Sequence, residues 1–242
     1  MRKLKLLELA TMPPRLYIRH VCETATYATY VNAIYDAYVN VGVTPMANRR
    51  IETMEANRAR LILAARKAFA EKGYAAASMD ELTADVGLTR GALYHNFGDK
   101  RGLLAAVVNQ IDDEMASRAQ EIGAQAEDDW EGLLAEGAAY IEMALDPEVQ
   151  RIVLLDGPAV LGDPSQWPSQ NSCLQATKQT LEQLIALGIL KPVDAEAAAR
   201  LLNGAALNAA LWIAASGDPK DVLPKAVEAF SCLASGLLAK PK

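Results

Sequence analysis

Between residues 58 and 104, apolar positions recur every three or four residues in short runs, and each run is closed by a glycine. Leu61, Ile62, Ala65, Ala68 and Phe69 share one face of a helix that Gly73 is placed to end. Ser78 opens the next helix. Its hydroxyl takes an orphan backbone N–H, and Glu81, three residues on, reaches back to the cap. Leu82 and Val86, four apart, share the buried face, and Gly87 supplies the left-handed residue that turns the chain. Thr89 caps a third helix with Arg90, Gly91 and Ala92 in its first turn. Leu93 and Phe97 point inward, which leaves Tyr94 and His95 outward. Gly98 and Asp99 break and recap the chain before a further helix with Lys100 in its first turn. A lysine there opposes the helix dipole, so its value is expected to lie outside the folded domain, at a phosphate. Two short helices joined by a tight turn, the second with a basic and aromatic outer face, make a helix-turn-helix suited to DNA.

The periodicity stays helical after residue 104. It predicts a long helix over 100–127 with Leu103, Leu104, Val107, Ile111 and Met115 inward. A second helix over 130–145 is stopped by Asp146–Pro147, and a third over 148–155 is broken at Asp156–Gly157–Pro158. A Pro- and Gly-containing loop over 162–168 leads to helices over 170–187, 194–215 and 220–238. No strand-like alternation interrupts them. The reading is all-α, with a three-helix helix-turn-helix head over 46–104 and a helical ligand-binding and dimerisation domain over 105–242.

The run LTRGALYHNFGDKRGLL resembles the N-terminal domain of TetR-family transcriptional repressors. The shared pattern of capped helix, Gly turn and recognition helix falls on Thr89, Arg90, Gly91, Ala92, Leu93, Tyr94, His95, Phe97, Lys100 and Leu103. It covers residues 58–104, and RIVLLDGPAVLG at 151–162 resembles one subgroup of TetR-like C-terminal domains. The resemblance implies that Tyr94, His95 and Lys100 grip phosphates while the start of the recognition helix reads bases. With Ser78, Thr89, Arg90, Gly91 and Ala92, these residues form the candidate DNA-binding set. Competing readings stay open: Tyr94 as a core aromatic, and Arg90 or His95 as solvated surface. Gly98–Asp99 departs from the many relatives with a Lys there, which predicts lower affinity.

Charge sharpens the division. The net charge of −6 alone argues against nucleic acid. Residues 46–104, however, hold 10 Lys/Arg against 7 Asp/Glu, and residues 105–242 hold 9 against 20. A basic head on an acidic body is the footprint of a DNA reader whose remainder does something else. Cys22, Cys173 and Cys232 suggest no disulfide framework, so a reducing cytoplasm is expected. His20 and His95 are the two histidines, too few and too distant for a zinc site, and no cofactor is expected. No apolar run approaches the ~20 residues of a membrane helix. No nucleophile–base pair or Gly-rich phosphate loop supports an enzyme.

Residues 1–45 hold five of the eight tyrosines and differ in composition from the rest of the chain. The preferred reading is an extension upstream of a natural start at Met46, where Arg49 and Arg50 begin a basic arm. The competing reading is a helix on the stripe Tyr27, Val31, Ile34, Tyr38 and Val41, ended by Gly42.

In the body, Ala197, Ala198, Ala199, Gly204, Ala205, Ala206, Ala209 and Ala210, with Leu201, Leu207 and Leu211, offer a surface of small residues for a symmetry mate. The alternative is a good helix former inside a monomeric bundle. Trp130, Tyr140, Met143, Trp167, Gln175, Asn208 and Trp212 are the candidate lining of a small-molecule pocket, or ordinary core and surface. Asn208 sits on an expected apolar face, where a buried amide needs a partner. The expectation is a ligand-responsive repressor that binds a palindrome as a homodimer and takes double-stranded DNA and a small effector as partners. The alternative is a helical interaction or activator module with no small ligand.

Overall fold

The computed structural model describes residues 45–239, with side chains from Thr53 onward, so the Tyr27–Val41 stripe lies outside the described residues. The chain divides into two compact units, Met1–Ala56 and Asn57–Lys242. The second unit carries both the helix-turn-helix and the helical body.

Its head begins on the part of α1 (Pro45–Ala76) from Asn57 onward, whose helical path breaks at Gly73 with φ 77°. Helix α2 (Met79–Asp85) starts at Ser78, whose hydroxyl accepts from Glu81 N. The reciprocal half of the expected capping box is redirected: the Glu81 carboxylate accepts instead from Lys72 Nζ at 2.6 Å. Gly87, at φ 63°, makes the turn into α3 (Arg90–Phe97), capped by Thr89 accepting from Ala92 N. Leu61, Ala65, Phe69, Leu82, Leu93, Leu103 and Leu104 are fully or almost fully buried and form the head's core. Their one-face spacing is the reason the two short helices α2 and α3, neither stable alone, hold together with α1 and α4.

Helix α4 (Lys100–Gly123) is capped by Asp99, whose carboxylate accepts from Gly102 N at 2.7 Å. It passes from head to body unbroken, so the boundary placed at residue 104 falls within a helix. The body adds α5 (Asp129–Glu142), a 3-10 turn over Met143–Leu145, and a π-helical segment over Val149–Asp156. That segment runs straight into α6 (Gly157–Leu161). The break expected at Asp156–Gly157–Pro158 does not occur. Pro158 falls where the π-helical path gives way to the α-helical one, at the second position of α6. Gly157 leaves room for the Trp167 ring, which would lie 2.8 Å from a Cβ there. Helices α7 (Pro168–Ala186), α8 (Ala195–Ala215) and α9 (Pro219–Ser235) complete the bundle. A single antiparallel bridge, Leu190 to Leu238, fastens the chain after α9 to the α7–α8 connection, and no longer strand occurs among the described residues.

Candidate nucleic-acid interface and ligand cavity

Helix α3 turns two faces to two environments. Leu93 is fully buried, while Tyr94 is half exposed and Thr89, Arg90, Gly91 and His95 are exposed. Ala92 and Ser78 are of intermediate exposure. A Cβ on Gly91 would meet only the Thr89 hydroxyl, at 3.6 Å, so the first turn of α3 presents open backbone. Arg90 forks onto Asp80 at the start of α2, with Nη2 donating to Oδ2 at 2.6 Å and Nε paired with Oδ1. Lys100 is tied inward. Its ammonium donates to Ala75 O at 3.3 Å and lies 4.6 Å from the centre of the Tyr74 ring. Burial holds its pKa below the ordinary lysine value. The charge expected to serve only an outside partner therefore also stitches α4 to the α1–α2 turn.

Other cations of the head have internal duties as well. Arg58 donates to Asn96 O at 3.1 Å and stacks over Phe97, and Arg60 donates to Val86 O. Arg66 reaches into the body, donating from Nε and Nη2 to both oxygens of Glu148 and from Nη1 to Glu114, each at 2.8 Å. These two carboxylates hold the Arg66 guanidinium well above the ordinary arginine value. At the other edge, Asp156 accepts from Tyr74 N at 2.7 Å and pairs with Arg151 at 3.3 Å. The Arg151 guanidinium covers the face of Gly73 where any Cβ would collide with it. Arg101 donates to the carbonyls of Val160 and Leu161, each at 3.2 Å. The segment 151–162 thus supplies a second fastening between head and body, beside Arg66.

A cavity of about 90 Å³ lies inside the body between α4, α5, α7, α8 and α9. Of the seven residues expected to line it, Tyr140 does. Trp130, Met143 and Trp167 are instead packed in the core, with 3 %, 9 % and 7 % exposed. Gln175, Asn208 and Trp212 are exposed on helix faces turned away from it. Asn208 is therefore no buried amide; Asn203 is the α8 amide at the cavity, where its Oδ1 accepts from the Thr177 hydroxyl at 3.1 Å. The apolar wall includes Leu133, Leu134, Leu202 and Phe230, and polar groups come from Glu136, Tyr140, Gln170, Cys173 and Thr177. Burial pushes the Cys173 thiol up to about 11 and raises the Glu136 carboxyl. Behind Gln170 sits Asp112, buried on α4, accepting from the Ser169 hydroxyl at 2.6 Å and Gln170 Nε2 at 3.1 Å. Desolvation raises its carboxyl above the usual range. Both acids carry a signal in the sequence. Glu136 shares a helical face with Leu133 and Tyr140, and Asp112 sits among Val108, Ile111 and Met115.

The small residues of α8 divide between two surfaces. Ala198, Ala199, Ala206 and Ala210 are buried inside the protomer. Leu201, Gly204, Asn208 and Trp212, spaced three and four apart, form an exposed stripe on which Leu201 is 75 % and Trp212 51 % exposed. Helix α9 packs against α8 and leaves Leu233 67 % exposed. Among the described residues no helix is long and apolar enough to cross a membrane, and no group of His, Cys, Asp and Glu could hold a metal ion.

Residues 61–107 match the model of bacterial regulatory proteins of the tetR family, and residues 130–237 match that of a tetracyclin repressor-like C-terminal domain. Among solved structures, a TetR-family transcriptional regulator from Pectobacterium atrosepticum is 51% identical, with a TM-score of 0.73 over 79% of this chain and 98% of that one. The Transposon Tn10 TetC protein of Escherichia coli is 26% identical over 65% of this chain and 80% of its own length. The transcriptional repressor AcnR of Corynebacterium glutamicum is 31% identical over 41% of this chain, a match spanning about half (52%) of that repressor.

Proposed function

The chain belongs to the TetR family of transcriptional regulators, and on that premise we propose that it is a repressor that binds a palindromic operator as a homodimer and is released by a small molecule. The observation that most supports the reading is the joining of an open recognition helix to a cavity-bearing body through one continuous helix, α4. In this reading α3 enters the major groove, its start reads base edges through Arg90, and Tyr94, His95 and Lys100 hold phosphates. An ammonium has three donors, so Lys100 can keep the Ala75 carbonyl and still meet a phosphate. The second copy docks on the exposed stripe of α8 and on α9, which places two heads on two half-sites. A ligand in the cavity shifts the population toward a body whose head spacing no longer fits, by as much as it prefers that state.

Selection of fragments from a random duplex pool by the purified chain tests the reading. A palindrome bound by two protomers, with affinity falling steeply as salt rises, is the expected result. Lys100→Ala should flatten the logarithmic salt slope by about one unit per head and weaken all sequences alike. An asymmetric site, or no enriched sequence, would instead favour an interaction module.

A further inference from the structure

We propose that the cavity selects a small organic cation: a protonated amine on a short apolar body, with its charge on Glu136 and its tail against Leu133, Leu202 and Phe230. The proposal rests on the ligand-responsive reading for its biological use, but the chemistry of the cavity stands by itself. Glu136 is half-buried at the cavity wall, and among the described residues it has neither a hydrogen-bond partner nor an ion pair. No Lys, Arg or His lines the cavity. The Glu136 carboxylate also lies against the last turn of α4: a Cβ on Gly123 would sit 2.8 Å from its Oε1. That is the carbonyl end of a 24-residue helix, where the dipole favours a positive charge and disfavours the carboxylate itself. An acid placed in an apolar wall beside a negative helix end is destabilised until a cation joins it.

A second group is also left waiting. The Tyr140 hydroxyl lines the cavity, is enclosed, and closes no hydrogen bond within the protein, although the Gln170 side chain lies beside it. Buried hydroxyls are rarely left so. A bound ammonium has three donors, enough to serve Glu136 and then the oxygen of Tyr140. An anion would meet Glu136 with Asp112 close behind Gln170 and no compensating charge. Size narrows the class further. The cavity, about 90 Å³, is smaller than the ~150 Å³ that takes benzene, so the tail is a short aliphatic chain.

Titration of the full chain with butylammonium, butan-1-ol and butyrate, three probes of one size and different charge, tests this by calorimetry. Both the amine and the alcohol can donate to the carboxylate, but only the amine adds an ion pair; with that gain at about 1.4 kcal/mol, butylammonium should bind about tenfold more tightly than butanol, and butyrate more weakly than either. Glu136→Gln should erase the preference for the amine over butanol. Butanol or butyrate binding as tightly as the amine, or no binding of any of the three, overturns the proposal. So does an amine preference that survives in Glu136→Gln. The ordering of the three probes on the unaltered chain needs no variant to fold. DNA occupancy, followed in the same titrations, separates the two readings. Glu136-dependent amine binding with no loss of DNA defeats the effector reading and keeps the cavity's charge preference. DNA release by butyrate does the reverse.

Discussion

At the scale of residues, the side chain best placed to read a base is already occupied. Arg90 forks onto Asp80, and both side chains are more than half exposed. An exposed ion pair contributes about 0–1 kcal/mol, so breaking it hinders base contact only slightly. Asp80→Asn should therefore tighten operator binding by no more than about fivefold. Arg90→Ala should cost ~1–3 kcal/mol at one base position and relax preference there. If Asp80→Asn gives the same gain in an Arg90→Ala background, the Asp80 charge acts on DNA directly rather than through Arg90. Asp112 gives a pH test. Burial raises its carboxyl pKa, so the folded state keeps a proton that the unfolded chain releases. Stability is then full below the unfolded value and declines as pH rises through the raised one. Asp112→Asn keeps an oxygen for Ser169 and Gln170 without the charge. Its unfolding temperature at about pH 7 should exceed that of the unaltered protein by about 2–4 °C for each ~1 kcal/mol relieved. The gap should close toward about pH 4, where the carboxyl is protonated. A constant gap across that range would mean that charge is not the cause.

At the scale of elements, the sequence makes legible whatever is decided locally. Ser78, Thr89, Asp99 and Asp194 cap their helices because each cap is a contact to the residue three positions on. Gly87 turns the chain because φ 63° is open to glycine without strain. The features hidden from the sequence depend on distant neighbours. The 149–156 segment continues into α6 at a glycine on which Trp167, ten residues away, packs. On α8 nearly every face is small or apolar, so periodicity does not say which side meets the bundle. Asn208 and Trp212 read as inward for that reason, and Asn203 does not stand out. Head charge misleads in a similar way: its cations mark a DNA reader, yet Arg58, Arg60 and Arg66 serve the fold. The outward stripe of α8 has its own test. A Cβ on Gly204 would meet nothing within 4 Å, so the protomer has room for a side chain there. Gly204→Glu should keep the helical content, gain slightly in helix propensity and bury an unpaired charge only if another copy sits on that stripe. Sedimentation should then show the mass halved. A dimer of unchanged strength would place the interface off this stripe.

At the scale of the whole molecule, the question is what fixes the head against the body. Helix α4 is unbroken through residue 104, so a hinge between α1–α3 and the body could form only at the Gly98–Asp99 junction that precedes it. Four ties close that hinge: Arg66 on Glu148 and Glu114, Asp156 on Tyr74 N, Arg151 over Gly73, and Arg101 on the α6 carbonyls. Arg66 is the strongest because it is bidentate to Glu148 and only 21% exposed, so screening by water is partial. In a dimer, rigid heads meet two half-sites at once, whereas loose heads must be ordered on binding. Arg66→Met keeps the apolar stem of the side chain and removes the fork. It should leave binding to a single half-site and the dimer mass unchanged, and weaken binding to the full palindrome by about tenfold, or about 1.4 kcal/mol. Fluorescence anisotropy on the two duplexes measures both. An equal loss on half-site and palindrome would mean that Arg66 supports the head's own fold, and circular dichroism of the variant would show it. Equal affinity on both duplexes before and after the change would mean that the remaining three ties hold the head without it. A loss confined to the palindrome would make the Arg66–Glu148 fork a determinant of the spacing between heads, and therefore of which operators fit.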